Sequence, residues 1–546
     1  MNRLLVTIIG ALIILPWLGS KSFYTRGEPR EALVIQEMVR EGAWILPRGY
    51  SEDVPSKPPF MHWIGGVASL VTGEVSEFTT RLPSALAALC FLWAFYGLVE
   101  RRRGRSEAIA AAVLLFLSVE WTRAAVTTRV DMMLATLMAG ALLALYRWEE
   151  RGCRGYPAAA LALLTAATLT KGPVSVVLPT GIFGAYLLLR RHRLGAVIVR
   201  PLVVTVPALA LAAFWYGAAW WEGGSDFVER VLYENVARFS GTMEDSPHNH
   251  SAAYLVGTLL LGFMPWTVML AAGVEREWWS RIRRWRPLEW SRTAEPLQLF
   301  AGVAVMLVVI FFSIPESKRS VYLLPAYPFV AILLAPLVVS LSARPRYWSA
   351  VRRVFGGVLL SGALGMLALS QSWIEPGLFV RRPEKLFDLM YVTAQFGTAP
   401  GVTGLCLLGL VGVSLLTGPR RWPGFGVVAA GVASVIVILN AVLLPLYTEP
   451  LSPRRLAEDV APLLGADDRL YSWGTEFYGV SFYLHREIFR LAEVPAPGSV
   501  IFVLARLRGE LEATLPPGQE LELLFRSPYG VVKPRDQVEV LRITGR

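Results

Sequence analysis

With 546 residues, a 54% hydrophobic share and a mean hydropathy of +0.47, the chain is more apolar than an ordinary globular protein, where about 45–50% is usual. The excess lies in runs long enough to cross about 30 Å of hydrocarbon, which excludes a single water-soluble domain and predicts an α-helical polytopic membrane protein. The net charge of +11 does not mark a nucleic-acid partner. The arginines gather in short loops between apolar runs, as on the cytoplasmic face of a membrane protein.

In chain order thirteen apolar runs stand out, roughly 4–19, 81–100, 107–122, 131–147, 157–170, 173–189, 199–218, 253–272, 298–313, 321–341, 355–371, 401–417 and 424–444. The first has the charged start of a signal peptide and no small-residue cleavage site after it, so it reads as a retained signal anchor. Cys90, Cys153 and Cys406 have no partner at metal-ligand spacing, and neither a disulfide framework nor a thiolate zinc site is expected.

The loops alternate in character. Arginine crowds 100–105 (ERRRGR), 147–154, 190–193, 276–286, 343–353 and 419–421, which places these loops on the cytoplasmic side. The opposite side then holds 20–80, 123–130, 171–172, 219–252, 314–320, 372–400 and everything after 445. Residues 1–445 are expected to form the transmembrane unit, with an interfacial helix in the first outer loop. Residues 446–546 change composition and are expected to form a small extracytoplasmic α/β domain. There SPRRLAEDVAPLL (452–464) reads as an amphipathic helix capped by Ser452, and 469–473, 499–506 and 538–543 read as strands.

The outer loops carry the candidate chemistry. Glu28 and Arg30 open a short helix whose apolar residues Ala32, Ile35, Met38 and Val39 share one face; such a helix lies in the interface plane. Glu28 is either a functional carboxylate or simply a cap. Lys57, set between prolines in PSKPPFMHW, suits a phosphate, or snorkels to the headgroups. Arg129 and Asp131 stand where the fourth run begins, and Asp131 is either a site carboxylate or an N-cap paired with Arg129. Lys171 in LTKGPV, and Lys318 with Arg319 in SIPESKRSVYLLP, bring cations to outer turns where the positive-inside rule disfavours them. The loop 226–255 adds Glu234, Arg238, His248 and His250; the His-x-His pair is a weak metal signal.

Taken in order, these motifs resemble those of the bacterial lipid-A aminoarabinose transferase family, membrane glycosyltransferases of the GT-C type to which the protein O-mannosyltransferases are more distantly related. The resemblance runs from the acidic motif after the first run, through the Lys-Pro turn, Asp131 and LTKG, to ENVARFSG, LGFMPW and FFSIPESKRSVYLLP. The family's first outer loop reads Asp-Glu-x-Arg-Tyr. Here Glu28 and Arg30 match, while Gly27 replaces the aspartate and Glu31 the tyrosine. The resemblance implies Glu28 and Asp131 as catalytic carboxylates. It places Arg30, Lys57, Tyr322, Lys171 and Lys318 around the donor phosphate, and Arg129, Glu234, Arg238, His248, His250 and Arg319 elsewhere in the pocket. The family's metal-contacting glutamate is Ser56 here, and no metal is assigned.

What the resemblance implies is a sugar moved from a polyprenyl (undecaprenyl) phosphate to an acceptor outside the bacterial inner membrane. That acceptor would be lipid A or another envelope lipid or glycan. The alternative from another class is a transporter or flippase for a lipid-linked anion, whose site would lie near mid-membrane between repeats.

Overall fold

The computed structural model describes residues 2–25, 27–48, 57–233, 251–271, 290, 292–315, 318–380, 382–418, 424–491, 495–531 and 533–545. All thirteen apolar runs overlap helices. Eight helices among the described residues are long and apolar enough to cross a membrane: Glu77–Phe116, Val130–Glu150, Leu194–Leu232, Pro296–Ser313, Ser320–Ser342, Pro345–Ser370, Ala399–Thr417 and Gly424–Leu451. The first of these contains two predicted runs. Four more runs are shorter apolar helices, one of them divided into Ala252–Gly262 and Trp266–Ala271.

The first half supplies α1 (Arg3–Ile14), α2 (Gly27–Glu41), α3 (Phe60–Thr72), α4 (Glu77–Phe116), α5 (Val119–Ala125), α6 (Val130–Glu150), α7 (Ala158–Lys171), α8 (Val174–Leu189) and α9 (Leu194–Leu232). At 1.5 Å per residue, forty residues of unbroken α4 would run about 60 Å, twice the hydrocarbon thickness. Gly104 breaks it at φ 81° and ψ 171°, a conformation that only glycine adopts readily. The break falls inside the arginine-rich loop 100–105. Aromatic side chains knit the two halves of the chain together, with Tyr146 and Tyr186 against Phe300, and Phe300 against Phe329.

Outside the bundle, a five-stranded sheet is built from β1 (Leu470–Trp473), β2 (Phe489–Arg490), β3 (Val500–Leu504), β4 (Gln519–Gly530) and β5 (Gln537–Gly545), in the order β2-β1-β3-β5-β4. β1 pairs in parallel with β2 and β3, and β5 pairs antiparallel with β3 and β4. Every residue of β3 is buried, as its unbroken apolar run requires of a strand covered on both faces. The helix Pro453–Val460 packs on one face, its first turn capped by the Ser452 hydroxyl, which accepts from the Arg454 N–H at 3.0 Å. The predicted strands are present. β4 was not predicted: it is a charged edge strand with Pro528 inside it and two register shifts, and proline in a run argues against a strand except at an edge.

The outer sheet region roofs α2. Phe23, Ala32 and Leu33 pack on Phe482, and the Gln36 side chain bonds the Phe482 carbonyl at 3.3 Å and His485 Nδ1 at 2.7 Å. Below, Ile35 seats on α3 at Gly65, where any Cβ would come within 2.6 Å of it. The amphipathic stripe expected to rest on an interface is therefore one of two covered faces. Ala32, Ile35 and Met38 are buried, and so are Glu31, Gln36 and Glu37. Protein contacts, rather than a headgroup layer, fix the helix.

Candidate active site

The start of α6 and the end of α7 meet, and each presents a charged side chain. The first turn of α6 carries Asp131; Arg129 occupies the N-cap position before it. Asp131 is therefore not the cap. Its Oδ1 accepts from Lys171 Nζ at 2.6 Å, and its Oδ2 lies 3.5 Å from Arg129 Nε. Lys171 is the last residue of α7, which Gly172 terminates. The ammonium also stands 5.1 Å from the centre of the Tyr322 ring, itself stacked on Phe312 at 5.2 Å. Residues 131, 171 and 322, remote in sequence, thus form one contact chain.

α2 approaches this chain from the other side. A Cβ at Gly27 would lie 3.0 Å from Arg129 Nη1 and 3.1 Å from its Cζ. The guanidinium occupies the space next to residue 27, and glycine leaves room for it. One turn further along α2, Glu31 accepts from Arg30 Nη2 at 2.9 Å through Oε1 and pairs with His62 Nε2 at 2.9 Å through Oε2. The register is set by packing: Glu31 and Ile35 on α2 face His62 and Gly65 on α3. Burial alone would raise the Glu31 carboxyl. Arg30, the hydrogen bond with His62, and Lys57 outweigh it and hold Glu31 well below the usual carboxylate range. Glu31 also stands near enough to Asp131 for their charges to interact.

Glu28, expected as the first catalytic carboxylate, occupies a different place. It is wholly buried; Arg81 Nε donates to its Oε1 at 2.9 Å, as does the Thr128 N–H at 3.3 Å, and the Thr25 hydroxyl reaches Oε2 at 3.4 Å. Arg81 spends its other donors on the carbonyls of Leu18 and Lys21 at 2.7 Å and Ser22 at 3.3 Å. Both partners are saturated by groups that tie the end of the first span to α2 and α4. Glu28, expected to face substrate, is thus tied into the fold, and Glu31 is the α2 carboxylate that faces His62 and the Asp131 charge.

Of the remaining candidates, Lys318 is buried with Nζ donating to the Pro315 carbonyl at 2.7 Å, and Arg319 is half-buried beside it. Lys57 faces the Glu31 charge. Glu234, Arg238, His248, His250 and Ser56 lie outside the described residues. Sequence reasoning missed Arg81, His62 and the Glu120–Arg123 pair. In that pair Arg123 donates twice to Glu120, at 2.8 and 2.7 Å, and Ser320 joins Glu120 at 3.1 Å. A lone arginine opening an apolar run was the available signal for Arg81; His62 and Arg123 had only their place in outer loops, and Glu120 only a charge at the end of an apolar run.

Among the described residues no group of three His, Cys, Asp or Glu side chains could hold a metal ion. The two pocket carboxylates already have partners in Arg30, His62, Lys171 and Arg129. The described residues do not fit a divalent ion.

A crystal structure of ArnT from Cupriavidus metallidurans bound to undecaprenyl phosphate superposes on the chain with a TM-score of 0.70, over 98% of this chain and 97% of the other, at 21% identity. The chain shares that fold. That fold combines many apolar helices with a small sheet region at the C-terminal end. Residues 56–220 match the family model described as dolichyl-phosphate-mannose-protein mannosyltransferase. An undecaprenyl phosphate-alpha-4-amino-4-deoxy-L-arabinose arabinosyl transferase of Shewanella sediminis is 28% identical over 60% of this chain, and the alignment spans 58% of that relative's length. An uncharacterized protein of Aquifex aeolicus is 26% identical over 92% of this chain and 91% of its own. These relatives agree with the resemblance drawn from the motifs.

Proposed function

We propose that the protein is an integral-membrane glycosyltransferase that moves a sugar from a polyprenyl (undecaprenyl) phosphate to an acceptor on the periplasmic side of the inner membrane. The observation that carries this reading is Asp131 held between Lys171 and Arg129, with Tyr322 behind the lysine, in a fold shared with a protein that binds undecaprenyl phosphate. Displacement at the anomeric carbon leaves a phosphate on the carrier. Preorganised cations are what that growing charge needs, and Lys171, Arg30 and Lys57 would meet it. Asp131 would orient the incoming acceptor or sugar hydroxyls. Its own ion pairs hold it in place while substrate enters.

The acceptor would be lipid A or another envelope glycolipid, since both partners must reach one pocket at the outer edge of the bundle. The test is transfer of radiolabel from undecaprenyl-phosphate-linked sugars into an envelope extract by the purified full-length protein. Label should appear in a glycolipid and fall steeply in Asp131→Asn. Label that stays on the carrier while the carrier changes leaflet would replace this reading with a flippase.

A further inference from the structure

Near Asp131 stand a second acid and an imidazole. Glu31 and His62 are both more than nine-tenths buried, and the 2.9 Å contact joins Glu31 Oε2 to His62 Nε2. An ionised carboxylate can only accept, so Nε2 carries its proton toward Glu31 and a neutral ring leaves its lone pair on Nδ1. That nitrogen is buried and has no hydrogen-bond partner. Buried polar atoms are nearly always paired, and an exception calls for a use. A ring oriented by a carboxylate through one nitrogen, with the other free to take a proton, is the arrangement that makes histidine an effective base.

We propose that His62 is the base of the transfer reaction, with Glu31 as its positioning residue, and that the acceptor is a hydroxyl group rather than a phosphate. The proposal rests on the glycosyl-transfer reading above. A phosphate acceptor is already an anion and needs no proton removed; a hydroxyl does. In the step, the acceptor O–H gives its proton to His62 Nδ1 while its oxygen bonds the anomeric carbon. The bond from that carbon to the phosphate oxygen breaks, and the electron pair stays on the phosphate. The singly charged phosphodiester becomes a doubly charged polyprenyl phosphate, and the imidazolium later returns its proton to water.

The charged groups around the pair come from several elements. Arg30 lies on α2 itself, Lys57 in the turn before α3, and Asp131 on α6 with Arg129 before it. Lys171 closes α7, and Arg81 reaches α2 from α4 through Glu28. Cations outnumber carboxylates in this set, and Glu31 is what offsets them at the imidazole.

The experiment uses full-length protein in liposomes, undecaprenyl phosphate bearing radiolabelled mannose, glucose or aminoarabinose, and envelope extract as acceptor source. Expected is a labelled product that survives mild acid, as a glycoside does. In His62→Gln kcat should fall about 10²-fold or more with the carrier KM unchanged, and in Glu31→Gln kcat should fall by a smaller factor, again without a change in KM. A product cleaved by mild acid, the mark of a glycosyl phosphate, would overturn the hydroxyl acceptor. Wild-type kcat in His62→Gln would overturn the base. Both outcomes leave glycosyl transfer standing, whereas no transfer from any donor by the wild type would remove both readings. Product chemistry is read on the wild type, so the proposal stays testable if a variant does not fold.

Discussion

Glu28 with Arg81 forms one charged region of the molecule, and Glu31 with His62, Asp131, Lys171 and Arg129 forms another, although the two glutamates are three residues apart on one helix. In the first, both side chains are at zero exposure and most of the arginine's donors end on backbone carbonyls. In the second, the partners are other side chains, and the cations keep open surface: 17% for Lys171, 24% for Arg129 and 45% for Arg30. A charge bonded to backbone serves the fold, because nothing can replace its partners. A charge held by partly exposed side chains can exchange them for a substrate. Motif spacing alone does not distinguish the two cases.

The comparison breaks most visibly in activity. Asp131→Asn should lower label transfer by roughly 10²-fold, the cost of misplacing a reacting group, while the melting temperature stays close to wild type. A matching loss of folded protein would move Asp131 into the first region. Glu28→Gln should do the reverse, and so should Arg81→Met. Each leaves a buried charge unpaired and should cost about 3–5 kcal/mol, read as lost thermal stability and yield. The double variant should recover only the part of that loss due to an unpaired charge, because the carbonyls of Leu18, Lys21 and Ser22 still lack their donor. Additive losses would mean the pair is not a unit.

Lys171→Met should lower kcat with the carrier about 10- to 100-fold, in line with about 1.5–3 kcal/mol for a charged hydrogen bond. A raised KM with kcat unchanged would assign the lysine to ground-state binding alone. At the roof, Glu77 accepts from both Arg454 and Tyr483. Tyr483→Phe should cost about 1 kcal/mol of stability and leave the donor KM unchanged.

The smallest effect belongs to Lys21, beside the Glu28–Arg81 pair. Its ammonium lies 3.1 Å from Asn440 Oδ1, and burial first, then Arg81, lowers its pKa from 10.5 to about 8 against the opposing pull of Glu28. Below about pH 8 the group is charged in both folded and unfolded chains, and its burial costs in full. Between about 8 and 10.5 the unfolded chain binds more protons, so stability should rise with pH in that window. Lys21→Met should flatten the rise, as followed by thermal unfolding across pH.

Much of this architecture was legible beforehand. The apolar runs, the arginine-rich turns, the capped helix at Ser452 and the central strand at 500–504 are local patterns, and each appears where its pattern lies. β4 was not legible, because an edge strand rich in charge and interrupted by Pro528 carries no apolar period. Within the site, Asp131, Lys171 and Tyr322 were singled out one by one, and only the packed bundle shows that they touch.

The linear chain by itself determined the helices and the existence of an outer sheet, because hydrophobic periodicity and caps act over a few residues. Tertiary structure decided which carboxylate of GEPRE enters the pocket. That choice depends on Arg81 arriving from fifty-three residues away to consume Glu28, and on His62 meeting Glu31 across the α2–α3 contact. Partners so distant in the chain leave no mark on the local sequence.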